Sequence, residues 1–413
     1  MSAPSLDAPD QAVILVGGLG TRLGALTKDV PKPLLEVAGR PFLEYVVDRC
    51  VRFGFSRLLL LAGHRGERVA DYAAQLRTRL PSHVACEVLI EPAPRGTAGA
   101  LQFAADRLSE RFLLLNGDSL LETNWLDLMV GLHCGDPTVV MTLRRVPDTS
   151  RYGVVTIADG LVTAFADRGP GGEGLINGGV YLCHRRLLED VPQEGSLERD
   201  VLPVLCARRR VGGRVQDGYF VDIGVPEDFA RAQTELPAQQ RRPAVFFDRD
   251  GTLNEDEGYT HRPEALVFKS GAVSAVKRVN DLGYYAFLVT NQAGVAKGHF
   301  RESDIHIFHV HLQRHLRAAG AHLDDIRYCP DHPDGIVTPY NRSSGWRKPA
   351  PGMLLDLMQA WPVVREKSLM IGDKRDDVAA AEAAGIRGFL YESGDLDAFV
   401  RRIVCTDGVT FPG

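Results

Sequence analysis

Ala12-Val13-Ile14-Leu15-Val16-Gly17-Gly18-Leu19-Gly20-Thr21-Arg22-Leu23 is an apolar run that stops abruptly in a glycine-bearing loop. Such a run has the length of one buried strand, and the glycines after it mark a tight turn towards a helix. The same grammar returns at Ala244-Val245-Phe246-Phe247, followed at once by Asp248. Outward from the first stretch, residues 58–62, 88–90, 112–116 and 138–143 read as strands. Residues 41–53 and 67–80 read as helices, the first opened by Pro41 at its N1 position. Around the second stretch, 285–290 and 368–371 read as strands, and 271–282, 303–319 and 376–384 as helices. This alternation predicts an α/β protein of two doubly wound, Rossmann-like domains, each with a mainly parallel sheet covered on both faces. The expected limits are 1–236 and 244–413, joined by a linker over 237–243 that is polar, bracketed by Pro237 and Pro243 and without periodicity. Ligands in such sheets bind beyond the carboxyl ends of the strands, so the loops after 16, 116, 247, 290 and 371 are the places to look.

Composition agrees. The 413 residues are enough for two or three domains at ~150 residues each. With 45% hydrophobic and 24% charged residues, a disordered, collagen-like or coiled-coil chain is excluded. A formal net charge of −5 gives no global basic field to call for nucleic acid or an anionic membrane. No apolar run reaches the ~18 residues of a membrane helix, and the N-terminus lacks the positive region of a signal peptide. The 7 cysteines are never within four residues of each other, which excludes a CxxC motif and a dense disulfide framework. A reducing cytoplasm is the expected compartment. Of 48 cationic residues, 40 are arginine and 8 lysine. A lysine kept in a polar loop therefore stands out, because arginine does not replace its compact point charge.

Lys32 is such a lysine, locked in Val30-Pro31-Lys32-Pro33. It follows the Gly17, Gly18, Gly20, Thr21, Arg22 loop, whose backbone N–H groups and guanidinium suit a phosphate chain. A fixed lysine beside that loop suits the charge that develops in phosphoryl transfer. With these strings the chain resembles the sugar-1-phosphate nucleotidylyltransferases over roughly 12–235. Further matching strings follow in order: Glu91-Pro92 with Arg95-Gly96-Thr97-Ala98-Gly99, Leu115-Asn116-Gly117-Asp118, Ile176-Asn177-Gly178-Gly179, Ser196-Leu197-Glu198-Arg199-Asp200, and Phe220-Val221-Asp222-Ile223-Gly224. The wording of 37–45 is most similar to the guanylyltransferases that act on D-glycero-α-D-manno-heptose 1-phosphate. The resemblance implies that Arg22 and Lys32 are catalytic. It gives Gly17, Gly18, Gly20, Thr21, Glu91, Gly96 and Thr97 to the nucleotide, and Asn177, Glu198 and Arg168 to the sugar phosphate. Asp118 and Asp222 are two carboxylates of the kind Mg²⁺ takes while keeping water and phosphates in its shell. The chain departs from the pattern at Gly24-Ala25, where a proline is usual, and at Asp167-Arg168, where an acid–lysine pair is usual.

Asp248-Arg249-Asp250-Gly251-Thr252-Leu253-Asn254 places two aspartates at i and i+2. One can attack phosphorus while the other protonates the leaving oxygen. The string resembles the haloacid dehalogenase phosphatases. Thr290-Asn291-Gln292, Arg347-Lys348-Pro349 and Gly372-Asp373-Lys374, with Asp377 beyond it, follow in that family's order. Residues 244–395 are most similar to D-glycero-D-manno-heptose 1,7-bisphosphate phosphatases. The resemblance implies Asp248, Asp250 and Lys348 as catalytic groups, Thr290, Asn291 and Arg347 on the phosphoryl group, and Asp248, Asp250 and Asp373 on Mg²⁺. Relatives carry a zinc loop, C-x-H then C-x-C. Here Cys329-Pro330-Asp331 and Ser344-Gly345-Trp346 stand in its place, so no zinc is expected. Histidines 306, 309, 311 and 315 are expected on a solvated helix face.

Together these imply a bifunctional enzyme of nucleotide-heptose synthesis. The phosphatase would remove the C7 phosphate, and the transferase would join heptose 1-phosphate to a nucleoside triphosphate, with GTP the expected nucleotide. The expected partners are these small molecules, with no nucleic acid and no membrane. The oligomeric state is open. The rival readings are a hexose-1-phosphate transferase fused to a histidinol-phosphate-like phosphatase, and a scaffold with a degenerate transferase domain.

Overall fold

The computed structural model describes residues 8–18, 21–130, 136–166 and 169–405. Gly20 and Arg168, expected at the nucleotide and the sugar phosphate, lie outside the described residues, as does Asp167. The chain divides into two compact units, one spanning Pro9–Gln239 and the other running from Gln240 onward.

In the first unit nine strands form one sheet among the described residues. They are β1 (Gln11–Leu15), β2 (Arg57–Ala62), β3 (Ala85–Ile90), β4 (Arg111–Asn116), β5 (Val139–Val146), β6 (Val154–Ala158), β7 (Leu161–Ala166), β8 (Gly174–His184) and β9 (Val211–Gln216). Their order is β3-β2-β1-β4-β8-β5-β9-β7-β6. Alternate residues feed opposite cores: Ala12, Ile14 and Val16 pack on one face with Leu58 and Leu60. Val13, Leu59 and Leu61 pack on the other with Leu114. Both faces are dry, which is why β1, β2 and β4 read as unbroken apolar runs. The sheet is more mixed than the sequence suggests. β3, β2, β1 and β4 run parallel, whereas β8 is antiparallel to both β4 and β5. The β6–β7 hairpin was not anticipated. Its turn, Asp159-Gly160, has positive φ at both residues, the conformation that an Asp-Gly pair favours.

The second unit carries β10 (Ala244–Phe247), β11 (Tyr285–Asn291), β12 (Asp325–Cys329), β13 (Leu369–Gly372) and β14 (Arg387–Leu390). They form a fully parallel sheet of order β12-β11-β10-β13-β14. Val245 and Phe247 enter one core and Ala244 and Phe246 the other. The linker is shorter than expected. The helix Pro226–Gln240 runs through Pro237, and Leu236 is fully buried. That anchor holds the last turn despite the N–H lost at Pro237. Only residues 241–243 separate the helix from β10.

Candidate active sites

The first site sits at the carboxyl ends of β1 and β4. Pro31 and Pro33 fix the backbone around a single tight turn, Lys32–Leu34, in which the Leu34 N–H donates to the Pro31 carbonyl at 2.8 Å. The turn buries Lys32 and aims its ammonium at two acids. Nζ lies 2.6 Å from Asp118 Oδ2 and 3.3 Å from Asp222 Oδ1. Asp118 and Asp222 arrive from a two-stranded ribbon, in which Phe220–Asp222 pairs antiparallel with Ser119–Leu121. The Gly224 N–H donates to Asp222 Oδ1 at 2.8 Å. A Cβ at Gly224 would lie 2.8 Å from both Lys32 Nζ and Asp222 Oδ1, so a side chain there would push on the ion pair. Burial works against the Lys32 charge, but Asp118 and Asp222 outweigh it and hold the ammonium above its ordinary range. Burial, then the charge of Asp118, raises the Asp222 carboxyl. Lys32 thus occupies a position between two acids whose like charges are close together.

The other expected groups form two clusters beside this one. Thr97 Oγ1 donates to Glu198 Oε2 at 3.0 Å and accepts from the Leu197 N–H at 2.7 Å. Ser196 Oγ also donates to Glu198 Oε2. The nucleotide string 96–99 and the sugar string 196–200 are therefore stitched together, with Ala98 N–H on the Gly195 carbonyl. Asn177 Oδ1 accepts from the Gly179 N–H, and its amide donates to the Tyr181 hydroxyl. Glu91 follows β3, and burial raises its carboxyl. The Gly17 carbonyl accepts from His64 N at 3.4 Å, and Gly18 faces open space. Thr21 opens the turn Thr21–Thr27, and Arg22 on it is exposed.

The second site is buried around Lys348, Asp248 and Asp377. Lys348 Nζ lies 2.7 Å from Asp248 Oδ1 and 2.6 Å from Asp377 Oδ1, and also donates to the Val289 carbonyl at 2.9 Å. Asp248 directly follows β10, and its N–H donates to the Ile371 carbonyl of β13. Asp248, Asp373 and Asp377 bring their oxygens within 4.8 Å of one another, and form the one such group of three among the described residues. Three carboxylates are the hard oxygen donors that Mg²⁺ takes. Gly251, at φ 84°, leaves room for Asp373; a Cβ there would collide with its carboxylate. Burial raises Asp248 to about 7, against the lowering effect of Lys348.

One expectation, a solvated His309, changes here. Asp250 is not in the three-carboxylate group; Asp377 takes that place. Both Asp250 oxygens are already held, Oδ1 by Arg249 Nε and Asn254 Nδ2, Oδ2 by Arg249 Nη2 and Gln292 Nε2. Asn291 sits against the Lys348 backbone. It clamps the backbone of Lys348 through two bonds of 3.0 and 3.1 Å. Thr290 is buried and accepts from Gln292 Nε2 at 2.9 Å, while Arg347 Nη1 reaches the Asp331 carbonyl at 3.4 Å. His309 is not solvated. It is buried with its Nε2 3.4 Å from Arg249 Nη1, and burial with the Arg249 charge pulls its pKa well down. The missed group is Arg249 itself, wholly buried with its guanidinium on both oxygens of Asp250. Its signal lay in the middle letter of Asp-Arg-Asp.

Residues 11–239 match the family described as nucleotidyl transferase, and 345–400 match the HAD-hydrolase-like family. The chain belongs to the nucleotidyl transferase family, with a HAD-like phosphatase unit joined to it. It is 44% identical over 164 residues to a D-glycero-beta-D-manno-heptose-1,7-bisphosphate 7-phosphatase of Rhodopseudomonas palustris, covering 40% of this chain and 91% of that one. It is 32% identical over 230 residues to a D-glycero-alpha-D-manno-heptose 1-phosphate guanylyltransferase of Aneurinibacillus thermoaerophilus, covering 55% of this chain and 98% of that one. Among solved structures, HddC from Yersinia pseudotuberculosis is 31% identical, with a TM-score of 0.48, over 55% of this chain and 99% of that one. The five described cysteines 50, 86, 183, 206 and 329 are free and buried, and no helix of the described residues is long and apolar enough to cross a membrane.

Proposed function

We propose that the chain carries out two consecutive steps of nucleotide-heptose synthesis in the cytoplasm. The unit from Gln240 onward removes the C7 phosphate of D-glycero-D-manno-heptose 1,7-bisphosphate. The unit Pro9–Gln239 then joins heptose 1-phosphate to GTP and releases pyrophosphate. The observation that carries the reading is the repeated arrangement of a buried lysine between two aspartates, each set beyond the carboxyl ends of its sheet. The two relatives, matched over nearly their whole lengths, bear the names of these two activities.

In the phosphatase unit, Asp248 supplies the attacking oxygen and forms an aspartyl phosphate. Asp250, its carboxylate oriented by Arg249, Asn254 and Gln292, protonates the leaving heptose oxygen and then takes a proton from the attacking water. Lys348 offsets charge on the phosphoryl oxygens. In the transferase unit a phosphate oxygen of the sugar attacks the α-phosphorus of the triphosphate. Lys32 stabilises the charge that develops there, while Thr97, Asn177 and Glu198 orient the two substrates. Mg²⁺, held by Asp248, Asp373 and Asp377 in one unit and by Asp118 and Asp222 in the other, would neutralise phosphate oxygens in both. Pure protein given heptose 1,7-bisphosphate and each of the four nucleoside triphosphates tests the reading. GDP-heptose, inorganic phosphate and pyrophosphate are the expected products; absence of any nucleotide-heptose would refute it.

A further inference from the structure

Between β12 and Lys348 the chain runs through residues 330–347 without a helix or strand. A segment of this length inside a compact unit is uncommon unless it serves a function, and its order has to come from named contacts. Glu302 makes the central one. It is the first residue of the helix Glu302–Ala318, where the helix dipole favours a carboxylate. Its two oxygens each accept a phenol: Tyr328 at 2.9 Å from the end of β12, and Tyr340 at 2.6 Å from the middle of the segment. Both tyrosines also pack on the small apolar cluster of Val295, Phe300 and Ile305. Tyr340 passes the constraint on, because its carbonyl accepts from His332 N at 3.0 Å and Arg342 N at 2.9 Å. Arg342 Nε then reaches Asp331 Oδ2 at 3.2 Å, and Arg347 Nη1 reaches the Asp331 carbonyl. Arg347 is the residue before Lys348.

Resting on the phosphatase reading above, we propose that Glu302 is a positioning residue for that reaction: through Tyr328 and Tyr340 it sets the segment that delivers Lys348 between Asp248 and Asp377. The Asp331–Arg342 pair is the weaker half of the clasp, since the Arg342 side chain is 65% exposed and water screens it. Glu302 touches no reacting atom. It acts by placing one that does, and a misplacement of about 1 Å can cost ~100-fold in rate.

The test uses the full chain. Glu302→Ala is expected to lower phosphatase kcat by about 10- to 100-fold with KM little changed, and to leave transfer from heptose 1-phosphate intact. Tyr340→Phe, which removes one donor and keeps the ring, should give a smaller loss in the same direction. Turnover is measured well below each variant's melting temperature, so that a folding defect does not pass for misplacement. The decisive readout is a double-mutant cycle. In a Lys348→Gln background, Glu302→Ala should cost little further kcat. Full additivity with Lys348→Gln, or an unchanged kcat in Glu302→Ala, would overturn the proposal. Wild-type protein with no phosphatase activity on any phosphomonoester would instead sink the underlying reading.

Discussion

The two sites use one motif at two depths. In each, a lysine bridges two aspartates. In the transferase unit the acids remain open: the Asp118 and Asp222 side chains are 39% and 32% exposed. In the phosphatase unit, Lys348, Asp248 and Asp377 are 2%, 7% and 2% exposed. Depth decides what the lysine does. Where water reaches the acids it screens their charges and leaves their oxygens open to other partners. Where water is excluded, each charge depends on the others, and Asp248 is pushed far from an ordinary aspartate. The open site suits two large substrates meeting. The closed site suits a nucleophile that must meet one phosphoryl group and little water.

The largest effect should come from the nucleophile. Asp248→Asn nearly preserves shape but removes the attacking oxygen, and phosphatase turnover should fall by at least ~1000-fold. Transfer from heptose 1-phosphate should persist. Asp222→Asn should do the reverse and accumulate heptose 1-phosphate. If Asp248→Asn silenced both reactions while folded, the two sites could not be treated separately. Next, Lys32→Ala should lower transfer kcat by about 100-fold, as expected for a lost electrostatic stabiliser. Normal turnover in that variant would mean that Lys32 only braces the two carboxylates.

The stability of the two lysine deletions gives a direct comparison of depth. Lys348→Ala leaves two buried acids without their cation, and a loss of about 3 kcal/mol is expected. Lys32→Ala leaves acids that water reaches, and a loss of about 1 kcal/mol is expected. Urea unfolding of both variants checks this, and equal losses would contradict the role given to depth. Magnesium should separate the sites by pH as well. The raised Asp248 carboxyl is protonated below about 7, and a proton there competes with the metal. Mg²⁺ affinity of the phosphatase unit should therefore rise by up to about tenfold per pH unit below 7 and level off above it. Titration calorimetry on the Asp118→Asn, Asp222→Asn double variant, in which the other site lacks its two carboxylates, reads this. A flat profile from pH 5.5 to 8 would deny the shift.

Much of this was legible in the sequence because strands buried on both faces are continuous apolar runs, and the loops after them carry the chemistry. Lys32, Asp118, Asp248 and Lys348 were all readable as letters in ordered strings. What could not be read was which oxygen each polar group already holds. Asn291 and Asp250 have the types expected of ligand binders. Only the fold shows that Asn291 is occupied by the Lys348 backbone and Asp250 by Arg249, Asn254 and Gln292. A helix face is a pattern in the sequence, whereas the burial of His309 depends on its tertiary neighbours Arg249 and Tyr328. Arg249 donates to the Thr260 carbonyl on one side and meets His309 on the other. The β6–β7 hairpin carries a local signal in the sequence, Asp159-Gly160.

The smallest effect expected is none at all, from zinc. The segment 329–347 keeps one sulfur, and it is poorly suited to the metal. Cys329 is 1% exposed, and burial raises its thiol, so the protonated form dominates at neutral pH. Zinc takes the thiolate. Its Sγ sits 4.0 Å from the Asp331 carbonyl, and Asp331 Oδ2 is held by Arg342 Nε at 3.2 Å. Ser344 caps the following turn by accepting from Trp346 N at 3.2 Å, and an indole offers no ligand. The clasp around Glu302 gives the segment an internal means of order that needs no ion. Untagged protein dialysed against a zinc-selective chelator and assayed with Mg²⁺ should keep its phosphatase rate within error, and metal analysis before dialysis should find far less than one zinc per chain. One zinc per chain, lost together with activity, would mean that Cys329 and its neighbours rearrange around a metal, and that the Glu302 network alone does not hold Lys348 in place.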